Sequence, residues 1–209
     1  MRISAYFHFW KIKELNYFLI DGKYGWNQED FKNLWMNKGG CACVTACDSF
    51  VYMSKYLGKD NLYPYDKENL NALDYVDFSN NVKPYLRPRW TGIDRLEIYV
   101  DGISDFLKDI GEYGINLEEY SGDNDIEDAI NVVKYQIDKK MPVPMLVLMH
   151  KNPKFKDFVW HWFLLTGYEE NNEKFMVKVV SYGSYRWFDF RELWNTGHKR
   201  KGGLILFND

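Results

Sequence analysis

The chain is sparing with the residues that most readily announce a function. Its 209 residues include three cysteines, four histidines and six prolines. An odd number of thiols, all within Cys41–Cys47, cannot build the disulfide framework of a small secreted domain. Reduced thiols in a cytoplasm are the simplest reading. No second cysteine pair exists to complete a four-ligand site, so no metal and no other cofactor is expected. Positive charge is not in excess: the net charge is −3. The densest basic run, His198-Lys199-Arg200-Lys201, is too short to offer the broad face a nucleic acid needs, so no nucleic-acid partner is expected. Apolar runs of membrane-spanning length are missing, which argues against a membrane protein. The stretch from Met1 to Leu19 is broken by Lys11, Lys13 and Glu14 and lacks a small-residue cleavage site, so it does not read as a signal peptide. Neither internal repeats nor low-complexity linkers appear.

What the chain does have is rings. Hydrophobic residues at 46% and charged residues at 27% are an ordinary balance, but 18% of the residues are aromatic. Rings in that number either fill a heavy core or line a binding groove. The length fits one domain over 1–209, with 59–90, rich in Asp, Asn, Tyr and Pro, read as an insertion or lid around a helix near Lys67 to Asp77. The first part of the chain carries helical spacing. A helix is expected from Asn27 to Trp35, a second from the cysteines to Leu57, stopped by Gly58, a third from near Asp94 and a fourth over Ile126 to Lys140. After Met141 the texture changes to short apolar runs, at Pro142–Met149, Trp160–Tyr168, Lys174–Ser181, Tyr185–Phe188 and Leu204–Phe207. Helices first and an antiparallel sheet second define an α+β fold.

Two segments carry candidate chemistry. In Gly39-Gly40-Cys41-Ala42-Cys43-Val44-Thr45-Ala46-Cys47, paired glycines turn the chain into a helix that opens with a thiol. Free N–H groups and the positive helix end favour thiolate over thiol and can hold a developing oxyanion. Cysteine is also a common core residue, and Cys47, on the apolar face of that helix, is assigned to packing. Cys43 stays open as an alternative nucleophile. The second segment runs from His161 to Tyr168. Histidine at the head of an apolar strand needs a reason, either a structural hydrogen bond or general-base work beside a thiol. His150, at the end of its own strand, is the rival.

The order of these parts resembles the papain-like C39 family of cysteine peptidases, where Gly-Cys opens a long helix and the histidine strand ends in Gly-Tyr. Here Gly40-Cys41 and His161 through Gly167-Tyr168 occupy those places, 161 − 41 = 120 residues apart. The resemblance runs from about Asn33 to the C-terminus. It implies a papain-like fold, with N-terminal helices packed on a C-terminal antiparallel sheet, Cys41 as nucleophile and His161 as base. The family's third member, an Asp or Asn, falls on Ser181, and its oxyanion glutamine, some six residues before the nucleophile, falls on Trp35. Asn37, four residues before Cys41 and six before Cys43, is the substitute donor. Trp35, Trp162 and Tyr182 are candidates to line a groove. Two functions follow: a cysteine peptidase or related thiol acyl hydrolase acting on a peptide or small acyl substrate, or a catalytically silent papain-like module that binds a peptide or small molecule.

Overall fold

The computed structural model describes residues 10–89 and 92–208. Its elements in chain order are β1 (Lys11–Glu14), β2 (Leu19–Ile20), β3 (Lys23–Tyr24), α1 (Leu34–Gly39), α2 (Cys41–Leu57), α3 (Ala72–Val82), α4 (Leu96–Asp109), β4 (Asn116–Ser121), α5 (Ile126–Asp138), β5 (Val143–Val147), β6 (His161–Glu170), β7 (Phe175–Ser181), β8 (Ser184–Asp189), α6 (Phe190–Trp194) and β9 (Gly203–Asn208). Short 3-10 turns lie at Gln28–Asp30, Asp60–Leu62 and Pro153–Phe158. The fold is α+β.

Helix α2 is the axis of the molecule. Every residue from Cys41 to Ser54 is buried, because its sequence is apolar or small on all sides and has no charged stripe to give to solvent. Gly58 ends it in the left-handed region, at φ 71°, where glycine pays no steric penalty. Helix α5 starts where Asp125 accepts a hydrogen bond from Glu127 N at 2.7 Å, the expected cap on an acidic first turn.

Seven strands form one antiparallel sheet in the order β4-β9-β5-β6-β7-β8, with β1 added beside β6. Strand β6 is long enough to take two neighbours on one edge. Val147 pairs with His161 and Val143 with Leu165 in its first half, while Glu14 pairs with Gly167 and Lys11 with Glu170 in its second. Residues His161 to Tyr168 are all buried, since α2 and α5 both pack against this strand. A strand covered on both faces reads as a continuous apolar run rather than an alternation.

The segment after α2 is part of the core. Leu62, Tyr63, Tyr75, Phe78, Val82 and Leu86 join the same hydrophobic cluster as α2 and β6, and Phe78 meets Phe50 edge-on, centroids 6.5 Å apart. The helix expected over Asn27–Trp35 is replaced by two pieces. Asn27 caps the 3-10 turn by accepting from Glu29 N, and Asn33 caps α1 by accepting from Trp35 N and Met36 N. A second good cap inside one helical pattern divides it. The helix expected near Lys67 starts later, where Asn71 accepts from Asp74 N. Strand β4, the β2–β3 hairpin and α6 were not expected from the pattern.

Candidate active site

The first turn of α2 and the start of β6 meet at a narrow slot. It is lined by Cys41, His161, Ser181, Tyr182, Gln28 and Trp162, among others, and its volume of about 10 Å³ is room for a single water. Cys41, His161, Gln28 and Tyr182 also line an adjoining open cleft of about 470 Å³, walled by Lys38, Gly39, Val159 and Trp160. The slot is too small for a substrate, whereas the cleft accommodates one.

Cys41 opens α2 behind Gly40, and it is 5% exposed. A Cβ at Gly39 would lie 2.6 Å from Arg89 O, and one at Gly40 would collide with Met36 O. Only glycine lets α1 end and α2 begin in this space. The backbone amides of Trp162, Ala42 and Cys41 itself favour the thiolate. Desolvation outweighs them, and the Cys41 pKa is raised above the usual 9.0. Burial thus works against the lowering expected of a thiol at a helix start.

His161 is also buried, and desolvation pushes its pKa from 6.5 down to about 3. The resting pair is thus a thiol and a neutral imidazole. Ser181 Oγ lies 2.7 Å from His161 Nε2, a full hydrogen bond. Tyr182 stacks on the ring, centroids 4.5 Å apart and 2° from parallel, with its hydroxyl 3.4 Å from Nδ1. The imidazole is thereby fixed in plane and at one nitrogen. Tyr182 has φ 53° and Gly183 φ 69°, the pair of left-handed residues that a two-residue hairpin turn between β7 and β8 requires. Trp160 has φ 54° outside any hairpin, immediately before His161. A bulky residue held there is strained, and such strain gathers at functional sites.

The other expected residues are dispersed. Asn37 spends its side-chain amide on Glu29 O at 2.6 Å and lies within reach of Phe31 O; it lines neither the slot nor the cleft. Cys43 Sγ sits 4.0 Å from Cys47 Sγ and 3.7 Å from Ser79 O, turned toward α3 and outside the slot. Trp162 touches the slot but is 1% exposed, donates to Ile93 O at 2.7 Å and stacks on Tyr99, so it is a wall rather than a contact surface. Trp35 is 53% exposed in a separate groove. His150 packs on Phe155 and bonds Glu192 O and Asn152 N, away from any cysteine. Among the described residues, no three His, Cys, Asp or Glu side chains gather to hold a metal ion, and no helix is long and apolar enough to cross a membrane.

Sequence reasoning missed Gln28 and Asp48. Gln28 precedes Cys41 by 41 − 28 = 13 residues, because the whole of α1 is folded between them. Its Nε2 donates to Asn37 O at 3.3 Å, leaving a second N–H, while its buried Oε1 has no partner. Asp48 lies two turns below Cys41, one face of α2 carrying Cys41, Thr45 and Asp48 into the slot wall. Its carboxyl accepts from Tyr75 Oη at 2.6 Å, Tyr17 Oη at 2.9 Å and Trp26 N at 3.4 Å. Burial raises its pKa to about 7 despite these donors. No family model, curated protein or solved structure matches the chain.

Proposed function

We propose that the chain is a papain-like thiol acyl hydrolase or transferase in which Cys41 attacks a peptide or small acyl carbonyl and His161 takes its proton. The observation that carries the reading is the meeting of Cys41, His161, Gln28 and Ser181 at one slot, open to a substrate-sized cleft. Four chemically distinct groups, from the 3-10 turn, α2, β6 and β7, converge there.

In this reading Cys41 Sγ forms a bond to the carbonyl carbon as its proton passes to His161. The carbonyl π pair moves onto oxygen, which takes a hydrogen bond from the spare N–H of Gln28 and from the amides at the start of α2. The tetrahedral adduct collapses as His161 returns the proton to the leaving group, leaving a thioester. Water or another nucleophile, deprotonated by His161, then bonds to the acyl carbon, the C–S bond breaks, and His161 returns the proton to Cys41. Ser181 orients the ring, but a hydroxyl cannot offset the imidazolium charge as a carboxylate would. The proton transfer is correspondingly uphill, and the chemistry slow for its class.

The silent-module alternative draws on one observation, the burial that keeps both partners neutral. Acylation by p-nitrophenyl acetate separates the two. The enzyme reading expects a burst of p-nitrophenolate and an acetyl group on Cys41 by mass spectrometry, both lost in His161→Ala and retained in Cys43→Ser. Acetylation spread over the three thiols, indifferent to His161, supports the silent module.

A further inference from the structure

Beside the cleft, the surface of α1 and the segment after α3 form an open groove. Trp35 and Leu34 stand out of α1, 53% and 67% exposed. Facing them are Lys83, Arg87 and Arg89, and Lys38 sits where this groove joins the cysteine cleft, lining both. The two parts of the groove have volumes of about 500 and 520 Å³. Arg87 Nε bonds Pro84 O at 3.3 Å. Among the described residues, no carboxylate pairs with any of these four cations and none lines the groove.

Four cations without a carboxylate partner among the described residues stand together there. The chain carries a net charge of −3, and its other surface cations commonly have partners, as in Lys23–Asp30, Lys134–Glu170, Lys154–Glu192 and Arg186–Asp157. The two walls meet where Gly39, at the end of α1, lies against the Arg89 backbone.

From these observations we infer that the groove receives an acidic peptide segment. Its carboxylates face Lys38, Lys83, Arg87 and Arg89, and an apolar side chain lies on Trp35 between Pro84 and Pro88. Charge complementarity selects the sign of the ligand, and exposed rings supply the anchor. A peptide fits better than a nucleic acid because the four cations line an apolar groove rather than a broad basic face. The groove also leads, through Lys38, to a thiol. As a statement about substrate, this inference rests on the acyl-transfer reading; as a statement about binding, it does not.

The test uses the full chain carrying Cys41→Ser, so that no chemistry enters the readout. Three fluorescein-labelled probes are compared by anisotropy: a decapeptide of Glu, Asp and Leu, its analogue with Lys at each acidic position, and a thymidylate decamer. The acidic peptide is expected to bind best, to weaken as salt rises, and to lose at least about tenfold in affinity in Lys38→Glu/Arg89→Glu. Lys38→Gln/Arg89→Gln, at the same exposed positions, is expected to lose less, which shows that charge rather than misfolding is responsible. No binding of the acidic peptide, equal binding of its lysine analogue, tighter binding of the thymidylate, or indifference to the charge reversal each overturns the inference. Because acylation of Cys41 is read separately, failure here leaves the thiol reading standing, and failure of acylation leaves the groove standing.

Discussion

Ser181 marks the chemical limit of the site. A hydroxyl 2.7 Å from His161 Nε2 holds the ring but leaves its pKa at about 3. An acidic residue at this place supplies the missing opposite charge, which moves a neighbouring group by about one to three units. Ser181→Asp is therefore expected to raise the His161 pKa by that amount, read from imidazole proton shifts during an NMR titration, and to speed acylation of Cys41. An unchanged titration means that the two side chains do not meet as described. Gln28→Ala tests the oxyanion role: acylation should slow by about a hundred- to a thousandfold, the usual cost of losing one such donor, with folding intact. A rate within about threefold of the parent assigns Gln28 to packing. That Cys41 opens a helix and His161 a strand was legible in the local pattern, whereas Ser181 was reached only through the family resemblance. Gln28 was not legible, since its closeness to Cys41 depends on how α1 folds between them. Asn37 was chosen on spacing alone, and its amide is taken by the Glu29 carbonyl.

Elements position these groups, and Asp48 does much of the joining. From inside α2 it takes hydrogen bonds from Tyr75 on α3, and from Tyr17 and the Trp26 amide in the chain around the β2–β3 hairpin. Gly25, at φ 69°, passes so close that a Cβ there would collide with the carboxyl. Folding raises the Asp48 pKa from 3.8 to about 7, so between those values the folded chain holds a proton that the unfolded chain has lost. The stability conferred by neutral Asp48 is complete below about pH 3.8 and is lost as pH rises through about 7. Denaturant titrations of Asp48→Asn between these limits should show this slope removed, whereas an unchanged slope assigns it to other groups. Helices α2, α4 and α5 were legible in the sequence, because long stripes and caps state themselves locally. The hairpin and β4 were not. The first has two-residue strands, and the second is a half-exposed edge, NLEEYS, whose pairing with β9 is a long-range choice.

At the scale of the whole molecule, two buried titrating groups act in opposite directions. His161 is favoured in its neutral form, with a folded pKa of about 3 against 6.5. Its contribution to stability is complete above about pH 6.5 and is lost as pH falls toward 3. Asp48 weakens the fold on the alkaline side of the same range. His161→Phe should therefore stabilise the chain at pH 5 relative to its own value at pH 7, compared with the parent, when thermal melts are run at both. Equal shifts at the two values show that His161 is hydrated and titrates normally. The α+β arrangement was readable as helices first and sheet second, and the aromatic excess went mainly to the core, as Phe50, Phe78, Phe106, Trp162 and Tyr168 show. Trp35 was a groove candidate in the sequence, but the wall facing it was not readable, because it comes from the segment after α3.

The central claim is that Cys41 and His161 work as a pair, and the most direct measurement is the pH dependence of iodoacetamide modification at each thiol. Cys41 is expected to react first in the parent chain, because it alone of the three cysteines lines the open cleft. Its rate should rise only in the alkaline range, since burial raises the thiol pKa, with no inflection near pH 6.5, where His161 stays neutral. His161→Ala should slow it by about tenfold or more, the low end of general-base effects. If Cys41 reacts no faster than Cys43 and Cys47, or at the same rate without His161, the pair does no chemistry and the account of the site is contradicted.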